Sequence, residues 1–283
     1  MIDRFSRIYV IYIPVLAVFA IALVTTGLVP PPSLSEVVAN LFMLQHTPFT
    51  RIFNGLPTYA PLAQISPLWT IAIEWWLYTL FGIVYFFHRS SLASRLAMVF
   101  LLVPSCLVVG YFALKEYVAL MWFLGAMCAA LFVKMGKISP KAIGALACIG
   151  MSGFLVRLDI LSQTAMNMYD IQLGVFTVIT IFCLLISFSQ LRIHSWITSA
   201  CVYLAFISYA LYLSHEPVRR LLVQKYFNIS APTISQAAMI CIGCIIVASV
   251  IAYFLENQHL VLRKWLKSST RNNSVAQHVS VCE

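Results

Sequence analysis

The chain has 283 residues, of which 61% are hydrophobic and only 10% charged. Soluble domains carry about 25% charged residues, so this balance excludes a water-soluble fold and implies extensive lipid-facing surface. The net charge of +9 does not point to nucleic acid, because Lys and Arg lie scattered in short segments between apolar runs instead of clustering on one face.

A spanning helix needs ~20 mostly apolar residues. On that criterion the expected spans are residues 8–28, 68–87, 96–114, 117–133, 142–156, 171–188, 203–222 and 234–255. The fold class is therefore all-α, a polytopic membrane helix bundle of about eight transmembrane helices. Residues 1–260 form one membrane domain and 261–283 a polar tail. The stretch 142–156, short and with three glycines, is the weakest span. A signal peptide is the other reading of the first run, but its apolar stretch continues past the small-residue site Ala20-Ile21-Ala22.

With the N-terminus inside, twelve of the 18 basic residues fall on inner segments: Arg4, Arg7, Arg89, Arg95, Lys134, Lys137, Lys141, Arg192, Arg263, Lys264, Lys267 and Arg271. The six on outer segments are Arg51, Lys115, Arg157, Arg219, Arg220 and Lys225. This asymmetry predicts both termini in the cytoplasm. Residues 29–67 hold seven of the twelve prolines; residues 34–45 are expected as a short interfacial or re-entering helix, in a segment that caps a cavity or is simply a loop. Seven of the eight cysteines lie in or beside apolar runs, and Cys282 is in the tail. Cys241-x-x-Cys244 reads as helix packing, not metal, since no second ligand pair is at hand. No metal site is expected.

Candidate chemistry sits in three places. In SPLWTIAIEWWLYTLF (residues 66–81) a spacing of four aligns Thr70, Glu74, Tyr78 and Gly82. A carboxylate in a span costs several kcal/mol unless it faces a partner or water, which makes Glu74 either a functional group or a structural ion-pair partner. In FISYALYLSHEPVRRLL, Ser208, Tyr212, His215 and Arg219 fall at helical spacing, and Pro217 is expected to kink the helix just after His215. A histidine there serves as an acid or base, or as a structural residue at the water interface. Arg4 and Arg7, spaced i, i+3, clamp a phosphate-bearing ligand or simply anchor the topology. Glu74 and His215, both near the outer ends of their spans, are expected to line one polar cavity with Tyr78 and Tyr212.

DRFSRIYVIYIP (3–14), SPLWTIAIEWWLYTLF and ISYALYLSHEPV (207–218) together resemble the acyltransferase-3 family of integral membrane O-acyltransferases. WFLGAMCAAL (122–131) and YFLENQHL (253–260) are similar to two weaker family stretches, although Asn257 and Gln258 replace the usual closing proline. The resemblance covers about residues 1–260. It implies transfer of an acetyl or similar acyl group from a cytoplasmic acyl-CoA, typically acetyl-CoA, used as co-substrate with no bound cofactor. The acceptor it implies is a hydroxyl of a cell-envelope or exported carbohydrate, or of another small molecule. The setting is the lipid of a bacterial inner membrane.

By the same resemblance Arg4 and Arg7 match the donor-side arginine motif, Glu74 and Tyr78 the glutamate motif, and Ser208, Tyr209, Tyr212, His215 and Pro217 the late motif. Glu74 and His215 are the catalytic candidates; Arg4, Arg7, Tyr78, Ser208, Tyr209 and Tyr212 are the substrate-binding ones. The family also begins with a basic residue and a histidine eleven positions apart, the latter its supposed base. Here that spacing occurs only at Lys267 and His278 in the tail, so about two N-terminal spans are expected to be missing. His46, in the outer segment, is the other histidine open to recruitment. The alternatives are an inactive truncated remnant, or a proton-coupled transporter of lipid-linked sugars built on Glu74 and His215. The soluble His-x4-Asp pattern and the Gly-x-Ser-x-Gly elbow are both absent.

Overall fold

The computed structural model describes residues 2–45, 47–49, 59–114, 117–134, 140–163, 170–190, 194–227 and 232–265. His46, most of the polar tail and the pair Lys267 and His278 lie outside the described residues. Among the described residues the elements are all helical. They are α1 (Ile2–Thr25), α2 (Leu34–Leu41), a 3₁₀ turn (Leu62–Gln64), α3 (Leu68–Phe86), α4 (Leu92–Leu114), α5 (Val118–Lys134), α6 (Pro140–Gln163), α7 (Ile171–Gln190), α8 (Ser195–Arg220) and α9 (Ile234–Leu255). The chain forms two compact units, one of Met1–Met98 with Ser199–Glu283, the other Val99–Thr198.

All eight expected apolar runs are helices. Six helical stretches are long and apolar enough to span: Arg4–Thr25, Leu68–Phe86, Leu92–Leu114, Ala142–Ile160, Ser195–Phe227 and Ile234–Trp265. The run expected to be weakest belongs to this set, because its helix extends on both sides of the glycines. The shorter apolar helices are Ala119–Leu131 and Ile171–Ser187.

In the first unit, α1 shows why its sequence folds as it does. Ile8, Ile11, Tyr12, Val15, Leu16, Phe19, Ala20 and Leu23 are buried, spaced alternately by three and one, which keeps one helical face against the core. Phe5, Ile13, Val18 and Ile21 are apolar and exposed. The helix stops at Gly27, whose φ of +76° is the left-handed conformation that glycine adopts without Cβ strain. The Gly27 N–H bonds the Val24 carbonyl at 2.9 Å and the Leu28 N–H bonds that of Leu23 at 3.0 Å, a Schellman closure.

The helix starts at Ile2, not near residue 8 as the apolar run suggested, so Arg4 and Arg7 stand on its first two turns instead of in a preceding segment.

Residues 34–45 turn back alongside α1. Ser33 and Glu36 form a capping box that opens α2. The Tyr9 hydroxyl donates to the Leu41 carbonyl at 2.9 Å and the Tyr12 hydroxyl to that of Asn40 at 3.0 Å. Tyr12 lies thirteen residues before Thr25, so the chain has returned roughly 20 Å from the end of α1. This is the re-entering alternative of the sequence reading. Irregular backbone at that depth is tolerated only when its polar groups are satisfied within the protein, and Asn40 supplies that. Its Nδ2 donates to the Glu36 and Ala60 carbonyls at 2.9 and 3.0 Å, and its Oδ1 accepts from the Leu62 N–H at 2.9 Å. Met43, fully buried, holds a φ of 56°, and its carbonyl accepts from Trp76 Nε1 at 2.9 Å. Gln45 Nε2 donates to the Leu68 carbonyl at 3.0 Å, which sets the start of α3 at the level of Tyr12.

The helix α8 continues through Pro217 and then widens into a π-helical turn, Leu221–Phe227. The missing proline N–H removes one intrahelical bond, and the chain adjusts by winding more loosely instead of breaking.

In the second unit α6 and α7 pack most closely. A Cβ at Gly150 would stand 2.7 Å from Thr180 Oγ1, and one at Gly153 would strike the Phe176 ring; glycine is what lets these backbones approach. Arg157 Nε and Nη2 bond the two carboxylate oxygens of Asp170 at 3.0 and 2.6 Å. Asp170 also caps α7, its Oδ1 accepting from the Leu173 N–H at 2.9 Å.

Candidate functional site

Within the first unit, α1, α3 and α8 line a half-open cavity of about 310 Å³ formed by Arg4, Arg7, Ile8, Ile71, Glu74, Tyr78, Ser208, Tyr209 and Tyr212. Seven of its nine lining residues are site candidates named from the sequence. The lining comes from the first two turns of α1, the Glu74 face of α3 and the middle of α8. Because α3 starts beside Tyr12, its second and third turns lie level with the start of α1. Glu74 therefore shares a site with Arg4 and Arg7, not the outer-rim position that span counting gave it.

Most of the polar groups have a partner. The Arg4 guanidinium lies 5.3 Å from the centre of the Tyr78 ring, a cation–π arrangement that leaves its N–H edges available, and it is within electrostatic reach of Glu74. Arg7 is fixed from behind: Nη2 and Nε bond Glu256 Oε1 at 2.8 and 3.1 Å. The Tyr209 hydroxyl donates to the Ile8 carbonyl at 3.4 Å, tying α8 to α1. Ser208 Oγ donates to the Ala205 carbonyl of its own helix at 2.8 Å. The Tyr212 hydroxyl makes a short hydrogen bond with Thr70 Oγ1, and Thr70 donates to the Pro67 carbonyl at 2.8 Å. Among the described lining residues Glu74 is the one carboxylate. Two guanidinium groups, a carboxylate and three tyrosines in a small space form a site for an anionic, oxygen-rich ligand.

His215 is placed differently from expectation. It stands one turn beyond Tyr212, with ring centres 5.9 Å apart, and is not among the residues that line the cavity. Its Nδ1 lies 2.8 Å from the Tyr212 carbonyl and 3.2 Å from that of Leu211. A carbonyl only accepts, so Nδ1 is the donor in both contacts. Its carbonyl accepts from Cys244 Sγ at 3.6 Å, and Cys244 is buried in the same core, which gives this cysteine a packing role. None of the described residues of 29–67 lines the cavity; through Met43 and Gln45 they prop α3 at its height.

Two contributors escaped the sequence reading. Thr70 stands on the polar stripe with no partner evident from the sequence. Glu256, within YFLENQHL, carries no local sign of a site role beyond ending a long apolar run, where a carboxylate calls for the same suspicion as Glu74.

A family model described as an acyltransferase domain matches residues 1–253. Comparison with curated proteins and with solved structures gives no match.

Proposed function

Because the chain belongs to the acyltransferase-3 family, and is a multi-pass membrane acyltransferase by that membership and its apolar helices, we propose that it moves an acetyl or similar group from acyl-CoA to a hydroxyl of a cell-envelope or exported carbohydrate. The observation that supports this most is the meeting of Arg4 and Arg7 with Glu74 and Tyr78 in one cavity. In this reading the two arginines hold the donor's phosphates. Tyr212 and Ser208 hold the acceptor through hydroxyl hydrogen bonds. The acceptor oxygen attacks the thioester carbonyl carbon, Glu74 receives the hydroxyl proton, the C–S bond breaks, and the departing sulfur takes that proton to leave as the thiol with Glu74 ionised again. His215 acts from beyond Tyr212 and orients the acceptor side of the site. Both termini are cytoplasmic and the membrane is a bacterial inner membrane, which puts Arg4 and Arg7 toward the donor's compartment.

The test is acyl transfer by the purified chain from acetyl-CoA to carbohydrate acceptors. Glu74→Gln keeps the volume and removes the proton acceptor, so it should lower the rate about 100- to 10,000-fold. A Glu74→Gln chain that transfers at the parental rate would refute the role.

A further inference from the structure

Resting on this donor-site reading, we infer that Glu256, at the end of α9, is a positioning residue that holds the Arg7 guanidinium open to the cavity for an anionic ligand. The geometry is asymmetric. The Glu256 side chain is 6% exposed while that of Arg7 is 42% exposed. One end of the pair is thus locked in the protein and the other reaches the cavity. Arg7 uses Nε and one Nη2 donor on a single oxygen, Glu256 Oε1. A guanidinium has five N–H donors in a rigid plane, so up to three remain for a ligand, in an orientation the carboxylate fixes.

Glu256 is itself anchored. It caps α9, its N–H bonding the Ala252 carbonyl at 2.9 Å, and its own carbonyl accepts from His259 Nδ1. Its second oxygen, Oε2, is buried and has no hydrogen-bond partner among the described residues. A buried carboxylate this poorly compensated depends on Arg7, since losing the partner leaves an uncompensated charge. Arg7 is therefore held where a long, flexible side chain would otherwise sample many rotamers. The contact also joins the last described helices to the first, 249 positions apart in sequence.

The experiment is a double-mutant cycle on the full chain in detergent, with CoA as probe and two readouts, the dissociation constant and the unfolding temperature. Glu256→Gln and Glu256→Ala should each weaken CoA binding about tenfold and raise the KM for acetyl-CoA more than they lower kcat. In an Arg7→Gln background the same changes should add nothing to the loss of binding. Arg7→Gln alone should lower the unfolding temperature, and Arg7→Gln with Glu256→Gln should recover part of it. If Glu256→Ala does not fold, Glu256→Gln carries the test. Parental affinity in Glu256→Gln, additive losses in the cycle, or a double variant less stable than Arg7→Gln would each overturn the inference. If the parental chain does not bind CoA, the donor reading falls, and the cycle in unfolding temperature still decides whether Glu256 acts through Arg7.

Discussion

Replacing Asn40 with Ala tests whether the re-entering segment is held by its hydrogen bonds. The side chain is fully buried and serves three backbone groups: the carbonyls of Glu36 and Ala60 and the N–H of Leu62. Glu36 lies inside α2, so its carbonyl keeps a helical partner, but the Ala60 carbonyl lies in irregular chain and the Leu62 N–H opens the 3₁₀ turn, where it has no helical partner. Each buried group left without a partner costs about 1–3 kcal/mol, so Asn40→Ala should destabilise by roughly 3 kcal/mol. Tyr12→Phe gives the internal comparison. It removes one donor to the Asn40 carbonyl, which still accepts from the Met43 N–H at 3.2 Å, and one acceptor for Gln45 Nε2, which still donates to the Leu68 carbonyl at 3.0 Å, so neither group loses its last partner and the cost should be about 1 kcal/mol.

Using about 2–4 °C per kcal/mol for a unit of this size, thermal unfolding in detergent followed by tryptophan fluorescence should show losses near 10 °C and 3 °C. Asn40→Ala should also reduce acyl transfer, because the segment sets the height of α3 and so of Glu74. An Asn40→Ala chain that unfolds within about 1 °C of the parent, or a Tyr12→Phe chain that loses more than Asn40→Ala, would refute the reasoning.

Other outcomes follow from the same structure. Asp170 is held down to about 2, first by its hydrogen bond from Arg157 and then by the Leu173 N–H. Its folded value is below the ordinary 3.8, so its stabilisation is complete at neutral pH and is lost as pH falls from about 4 toward about 2. Asp170→Asn should remove that part of the acid-unfolding profile measured by circular dichroism. Gly150→Ala should destabilise α6 against α7 by about 1–3 kcal/mol. Gly144→Ala, whose Cβ meets nothing within 4 Å, should be neutral or stabilising by up to about 1 kcal/mol; equal effects of the two in thermal melts would deny the packing role. Reporter fusions after Ser33 and at the C-terminus should report opposite compartments, and agreement between them would sink the proposed topology.

The sequence by itself determined the helical membrane class, because the period of α1 and the apolar runs are local properties of the chain. It also named seven of the nine residues that line the cavity, since a polar stripe at spacing four on an apolar helix leaves few alternatives for where its groups face. What it did not determine was height. Counting spans put Arg4 and Arg7 at one end of the membrane and Glu74 near the other. Only the tertiary structure brought them together, through a proline-rich segment whose Asn40 and Gln45 bonds set the start of α3 midway along α1.

The same limit applies to His215 and Glu256. Helical spacing grouped His215 with Tyr212, yet its Nδ1 bonds to the carbonyls of its own helix and its ring stays off the cavity wall. Glu256 looked like one polar residue near the end of the chain. Its place behind Arg7 depends on packing between the first and last helices, and a contact spanning 249 residues has no local signature. Periodicity records which face of a helix is polar; depth and partner are set by the other helices packed against it.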